Sequence, residues 1–196
     1  MKKIRSAFQQ SSKNKIKITI FGKNSTLAKK FCSLVEKEKF QLKKISKRQL
    51  NFTCNNISTK IKKILSDSPN IIINFIGKFD LNEKASKEIL ILNVIPTWEI
   101  IKFFLRNNLK KKTTFIVVGS SSFNSPRKNY MLYSSSKSAV NNLVNSAKDL
   151  FINTKLNIKI FNPKTFGGKH IKNYRKKVDI DALQVAKKIY AYIKKN

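Results

Sequence analysis

The stretch Thr114-Phe-Ile-Val-Val-Gly-Ser-Ser-Ser122, followed by Tyr133-Ser-Ser-Ser-Lys137, decides how this chain is read. Thr114 to Val118 is a short, apolar, β-branched run closed by Gly119, the pattern of a buried strand that ends in a turn. Ser120 to Ser122 fall at the strand's C-terminal edge, and Phe123-Asn-Ser-Pro-Arg-Lys-Asn129 is rich in turn residues. From about Tyr133 to Phe151 the apolar residues Val140, Leu143, Val144, Ala147 and Leu150 recur at helical spacing. Tyr133 and Lys137 therefore share one helical face. The Tyr-x-x-x-Lys spacing recurs at Tyr190 and Lys194, but no strand precedes that copy and it reads as structural. Ser121 and Ser122 compete with Ser120, which the spacing to the tyrosine favours.

A hydroxyl at a strand end, with a phenol and an ammonium on the next helix, is a proton-transfer arrangement. A free tyrosine titrates near pH ~10 and is a poor base at neutral pH. A neighbouring cation favours the phenolate, so Lys137 is expected to lower the Tyr133 value. Ser120 then hydrogen-bonds a substrate carbonyl or alcohol while Tyr133 donates or accepts the proton. Hydride has to come from a cofactor, because no side chain supplies one.

Working outward, strand and helix signals alternate. Lys15 to Phe21 reads as a first strand, and Leu27, Phe31, Leu34 and Val35 mark a helix from Ser25, its N-cap, to about Lys37. Residues 40–45 are a weak second strand, and a short helix runs from about Ser58 to Leu65. A strong strand starts at Ile71. Glu88 to Arg106 is mostly helical, with Pro96 expected to bend it or to start a helix. Asn157 to Phe161 is the last strand. Asp179 to Lys195 is a final helix with Ala182, Val185, Ile189 and Tyr192 inward. This alternation predicts an α/β fold: a single-domain, Rossmann-like, doubly wound and mainly parallel sheet in three α/β/α layers. Residues 1–14 are polar and basic and read as a flexible tail, with an organellar targeting peptide the weaker reading. Residues 15–196 form the domain.

These residues resemble the short-chain dehydrogenase/reductase family, in register from about Lys15 to Gly168. Gly22-Lys-Asn-Ser-Thr-Leu-Ala28 resembles the family's phosphate turn. Ile71-Ile-Ile-Asn-Phe-Ile-Gly77 is similar to its fourth strand and Asn-Asn-Ala-Gly motif. Leu92-Asn-Val94 is similar to the segment of its catalytic asparagine, and Asn162-Pro163 to the end of its sixth strand. The resemblance implies a catalytic set of Asn93, Ser120, Tyr133 and Lys137. It implies a dinucleotide held by Gly22, Asn24, Ser25, Thr26, Leu27, Asn74, Gly77, Tyr133, Lys137 and Pro163. The asparagine would orient a water beside the lysine, and the proline would lie beside the nicotinamide. The chain departs from the pattern at Thr26 and Ala28, which replace two turn glycines, at Ile76, and at Lys164 after the proline. It also leaves little room for a substrate lid and a seventh strand after Pro163. An acid at the end of the second strand would favour NAD. Lys43-Lys-Ile-Ser-Lys-Arg48 has none, and Lys23 points the same way, so NADP(H) is expected over NAD(H).

Composition bounds the rest. The chain has 196 residues and a formal net charge of +32, nearly all from scattered lysine. Such a field attracts anionic ligands, including an anionic substrate, and binds nucleic acid without sequence preference. Zinc-knuckle, helix-turn-helix and aromatic-rich strand patterns are missing, so specific nucleic-acid recognition is not indicated. The clusters Lys110-Lys-Lys112 and Arg175-Lys-Lys177 read as solvated loops. No apolar stretch spans a bilayer. Cys32 and Cys54 lack metal-ligand spacing; Cys32 reads as a core residue, and no metal is expected. His170, the single histidine, reads as a surface residue. The expectation is a cytoplasmic NAD(P)-dependent oxidoreductase acting on a small carbonyl/alcohol pair, with a homodimer as an open assembly. The alternative is a catalytically degenerate binding or interaction module of the same fold, and a basic nucleic-acid-binding protein follows behind it.

Overall fold

Isoleucine-rich runs form the strands of this protein, and their period of two sorts side chains onto two faces. The computed structural model describes residues 15–53, 55–125, 128–164 and 181–195. The basic segment 1–14, Cys54, His170 and Arg175 to Lys177 lie outside the described residues. The strands are β1 (Ile16–Phe21), β2 (Phe40–Ile45), β3 (Ile71–Asn74), β4 (Thr113–Val118) and β5 (Leu156–Phe161). The helices are α1 (Thr26–Leu34), α2 (Ile57–Leu65), α3 (Ser86–Arg106), α4 (Met131–Leu150) and α5 (Ala182–Lys195). All strand pairs are parallel, in the order β2-β1-β3-β4-β5.

Each strand feeds both layers. Ile18 and Ile20, Ile71 and Ile73, and Ile116 and Val118 pack with Leu27, Phe31, Val185 and Ile189 of α1 and α5. Phe21, Ile72, Phe115 and Val117 pack on the other face with Ile61, Ile100, Phe104, Val140 and Val144 of α2, α3 and α4. The result is the expected doubly wound, three-layer arrangement, and strand order reverses beside β1, where such sheets open a binding crevice.

The differences are local. The runs read as the family's fourth and sixth strands are the third and fifth of this sheet, because the residues described between Ile45 and Ile71 form no strand. Leu50 and Phe52, in that stretch, are nonetheless buried. Pro96 starts no helix; α3 runs through it from Ser86 to Arg106. Proline removes one helical hydrogen bond and is unfavourable inside a helix by about 3 kcal/mol. Here Pro96 is buried, and buried Asn93 and Thr97 anchor α3 on either side of it through hydrogen bonds to other elements. Leu150 is 63% exposed rather than inward; Phe151, four residues after the buried Ala147, packs on the core instead. The second Tyr-x-x-x-Lys is structural: the Tyr190 hydroxyl donates to Glu36 Oε1 at 2.9 Å, and Lys194 Nζ lies 3.1 Å from the same oxygen. That pair ties α5 to the segment after α1.

Candidate active site

The ends of β1, β3 and β4 open into one cavity of about 630 Å³. Gly22, at the end of β1, has φ +80°, a backbone conformation costly to any side chain. A Cβ there would also lie 3.0 Å from Ile76 N and from the Phe75 carbonyl carbon. Glycine therefore lets the first turn lie against the chain leaving β3. Ser25 caps α1, its hydroxyl accepting from Ala28 N–H at 3.1 Å. The N–H groups of Thr26 and Leu27 have no partner among the described residues. They sit at the positive end of the helix dipole, with Gly22 to Leu27 lining the cavity. Thr26 and Ala28, which replace two glycines of the usual turn, do not close it.

Gly77 does the same at β3. A Cβ there would lie 3.2 Å from Asn93 Oδ1 and 3.3 Å from Lys137 Nζ, so the bare backbone keeps both polar groups close. The two asparagines, however, do not line the cavity. Asn74 is buried, donating to Thr97 Oγ1 at 3.1 Å and accepting from Ile76 N–H at 3.0 Å. Asn93 is buried too, and its amide is fully engaged. Oδ1 accepts from Lys78 N–H at 2.7 Å, while Nδ2 donates to the Lys78 carbonyl at 3.0 Å and to Ser136 Oγ at 2.8 Å. Ser136 in turn donates to the Tyr133 carbonyl at 2.7 Å. Asn93 thus fastens the loop after β3 to the helix that carries Tyr133 and Lys137.

Ser120, Tyr133, Lys137 and Pro163 all face the cavity. Ser120 lies beside Tyr133 in the cavity wall, close enough to act on its phenol. Lys137 Nζ lies 5.7 Å from the Tyr133 ring centroid. The expected lowering of the phenol is not what the geometry produces. Burial pushes the Tyr133 phenol above its ordinary value; the neighbouring Ser120 pulls it back, and Tyr130 raises it further. Tyr133 is therefore a protonated phenol at neutral pH, an acid before it is a base. Lys137 is 5% exposed, and burial alone brings its ammonium down to about 8.

Several residues at the site give little sign of themselves in the sequence. Phe79 packs edge-on to Tyr133 at 5.0 Å and to Tyr130 at 5.5 Å, an aromatic wall assembled from β3's loop and the start of α4. Lys78 pairs with Glu88 at 2.5 Å, and Lys47 reaches the same carboxylate at 3.8 Å. Among the described residues the cavity is lined by Lys23, Lys47, Lys78, Lys137 and Lys164 against the single carboxylate of Glu88. Asn162 accepts from Ser120 N–H, a contact that only the neighbouring Asn162-Pro163 strand-end signal could have suggested. Among the described residues no cluster of potential metal ligands exists, and no helix is long and apolar enough to cross a membrane.

Comparison with known proteins identifies the fold and the family. The family model for short chain dehydrogenase matches residues 9–179. A short-chain dehydrogenase from Burkholderia cenocepacia, solved with NADP, superposes with TM-score 0.77 at 12% identity, over 91% of this chain and 84% of that one. A short-chain dehydrogenase/reductase from Vibrio parahaemolyticus gives 0.74 at 14% identity, over 89% of each chain. ElxO, solved with NADP bound, gives 0.76 at 18% identity, over 90% of each. No curated protein matches the sequence. With the family match spanning most of its length and the parallel sheet arranged as in these structures, the chain belongs to the short-chain dehydrogenase family of oxidoreductases.

Proposed function

We propose that this protein interconverts a small carbonyl compound and its alcohol with NADP(H), using Tyr133 as the proton-transferring group. One observation carries the reading: Ser120, Tyr133 and Lys137 face the same cavity as the Gly22 turn and the N-terminus of α1. The residues present fit a dinucleotide. Gly22 and Gly77 leave backbone where a Cβ would collide or crowd, and Thr26 and Leu27 offer unpartnered N–H groups at a helix N-terminus, suited to a pyrophosphate. When bound, the nicotinamide supplies or accepts the hydride at the substrate carbon.

The protein's own groups then manage the oxygen. Ser120 Oγ holds the substrate oxygen, and Tyr133, protonated at neutral pH, gives its proton to that oxygen in the reductive direction. Lys137, with its ammonium at about 8, remains mostly cationic at neutral pH and stabilises the phenolate left behind. Asn93 acts through the loop at Lys78 and through Ser136 by holding α4 in place. Phe79 and Tyr130 shield the reacting end from water. The excess of lysine over acid in the cavity suits an anionic substrate. Lys23 and Lys47, with no acidic residue in the sequence from Phe40 to Arg48, suit a 2′-phosphate and hence NADP(H). The test is a fluorescence titration of the purified protein with NADPH and NADH. Saturable binding, tighter for NADPH, is expected; absence of binding by either at low salt would overturn the reading.

A further inference from the structure

The strand end that carries Ser120 is gripped from two sides, and one side chain joins the two grips. Three consecutive N–H groups leaving β4 donate to the end of β5. Gly119 N–H reaches the Phe161 carbonyl at 2.8 Å, and Ser121 N–H the Pro163 carbonyl at 2.9 Å. These are the alternate pairs of a parallel ladder. The N–H between them, on Ser120, points away from that ladder, and β3 on the other side has already ended at Asn74. Asn162 supplies the missing acceptor: its Oδ1 takes the Ser120 N–H at 3.1 Å. To do so the amide crosses over Gly119, where a Cβ would sit 1.9 Å from Oδ1. The other end of the amide, Nδ2, donates to Asn141 Oδ1 at 2.9 Å. Asn141 lies one helical turn beyond Lys137 on α4.

We infer that Asn162, braced by Asn141, is a positioning residue that sets Ser120 Oγ against the Tyr133 hydroxyl, so that both reach one substrate oxygen. The inference rests on the proposed roles of Ser120 and Tyr133. Ser120 Oγ is held in addition by the Ser122 N–H at 3.2 Å, so Asn162 fixes the backbone on which that hydroxyl turns. Without it the Ser120 N–H is left unpaired and the strand end is free to move from α4. Ser120 opposes the effect of burial and of Tyr130 on the phenol, so its displacement moves Tyr133 upward. Among the described residues the other charged groups around the cavity are Lys137 on the same helix, Lys23, Lys47, Lys78 with its partners Asp80 and Glu88, and Lys164, and the substitutions below leave all of them in place.

The test needs no substrate. Tyr133 is titrated by NMR in protein labelled with ¹³C in its tyrosine rings, with Tyr133→Phe assigning the signal, in wild type, Ser120→Ala, Asn162→Ala, Asn141→Ala and the double variant. Ser120→Ala is expected to raise the titration point. Asn162→Ala raises it in the same direction, and the double variant adds nothing to Asn162→Ala, since both asparagines act through one chain. A merely structural role would lower the melting temperature and leave the titration where it was. If Asn162→Ala does not fold, Asn141→Ala decides alone. With a substrate, both variants lose kcat, on the order of a hundredfold for Asn162→Ala, while NADPH affinity holds. If Ser120→Ala does not move Tyr133, the joint role of Ser120 and Tyr133 falls. If Ser120→Ala moves it but Asn162→Ala and Asn141→Ala do not, only the positioning inference falls.

Discussion

Replacing Lys137 by methionine should make the protein more stable and inactive at once. The ammonium is 5% exposed, and its value falls from 10.5 to about 8 through burial, with no acidic group offsetting the loss of water. That difference corresponds to about 3 kcal/mol by which burial disfavours the charged form. Methionine keeps the unbranched stem and carries no charge, so Lys137→Met is expected to gain up to about 3 kcal/mol at pH 7 in the absence of cofactor. For a chain of this size that is a rise of roughly 6–12 °C in melting temperature. The gain depends on pH in a fixed direction. Below pH 8 both folded and unfolded wild type are protonated, and the penalty is fully present. Between about 8 and 10.5 the unfolded chain binds the extra proton, so wild-type stability climbs with pH and the gap to the variant closes. Equilibrium urea unfolding of both proteins at pH 7 and pH 10 measures the gap. A variant less stable than wild type at pH 7, or a gap that ignores pH, would refute the claim that the lysine is buried without compensation.

Other outcomes follow from the same geometry. Gly22→Ala should lower stability by at least about 1 kcal/mol through the left-handed backbone alone, and weaken dinucleotide binding as the turn is pushed off Ile76; calorimetry and a cofactor titration read the two losses. Glu36 is held at about 2 by Lys39 first, then Lys194 and Tyr190, so its contribution is complete above pH 4.5 and is lost as pH falls toward 2. Melting curves of Glu36→Gln across that window should accordingly show a lower plateau and a flatter acid arm than wild type. Lys47→Gln should weaken NADPH about tenfold, the loss of one charge-assisted hydrogen bond of about 1.5 kcal/mol, and leave NADH nearly unchanged in the same fluorescence titration.

The sheet was legible because buried parallel strands read as continuous apolar runs. Ile71 to Ile73 and Thr113 to Val118 have few other conformations open to them. The edge strand β2 read weakly because it carries Gln41, Lys43 and Lys44, of which Gln41 and Lys44 are exposed, where an inner strand would carry isoleucine. Pro96 misled because local propensity sees the missing N–H and not the contacts of Asn93 and Thr97 that hold α3 on either side. At the site, the order of Gly22, Ser120, Tyr133 and Lys137 along the chain was readable, since each sits at a strand end or on one helical face. What depends on burial was not. The i, i+4 lysine suggested an acidified phenol, whereas desolvation raises Tyr133 and lowers Lys137 instead. The saturation of Asn93 and the bridge from Asn162 to Asn141 join elements far apart in sequence, and no local pattern encodes them.

The central claim is that Tyr133 delivers the proton in a dinucleotide-dependent exchange between carbonyl and alcohol. Its most direct test is single-turnover hydride transfer, followed by loss of the NADPH absorbance, in wild type and Tyr133→Phe. A substrate is first found by screening small aldehydes, ketones and acidic sugar derivatives. Phenylalanine keeps the ring against Phe79 and removes only the hydroxyl. The expected result is loss of hydride transfer in Tyr133→Phe with NADPH affinity and melting temperature close to wild type. Tyr190→Phe, which breaks the structural copy of the motif, should leave the rate unchanged. Hydride transfer by Tyr133→Phe at the wild-type rate would contradict the claim and leave the family likeness as a statement about the fold.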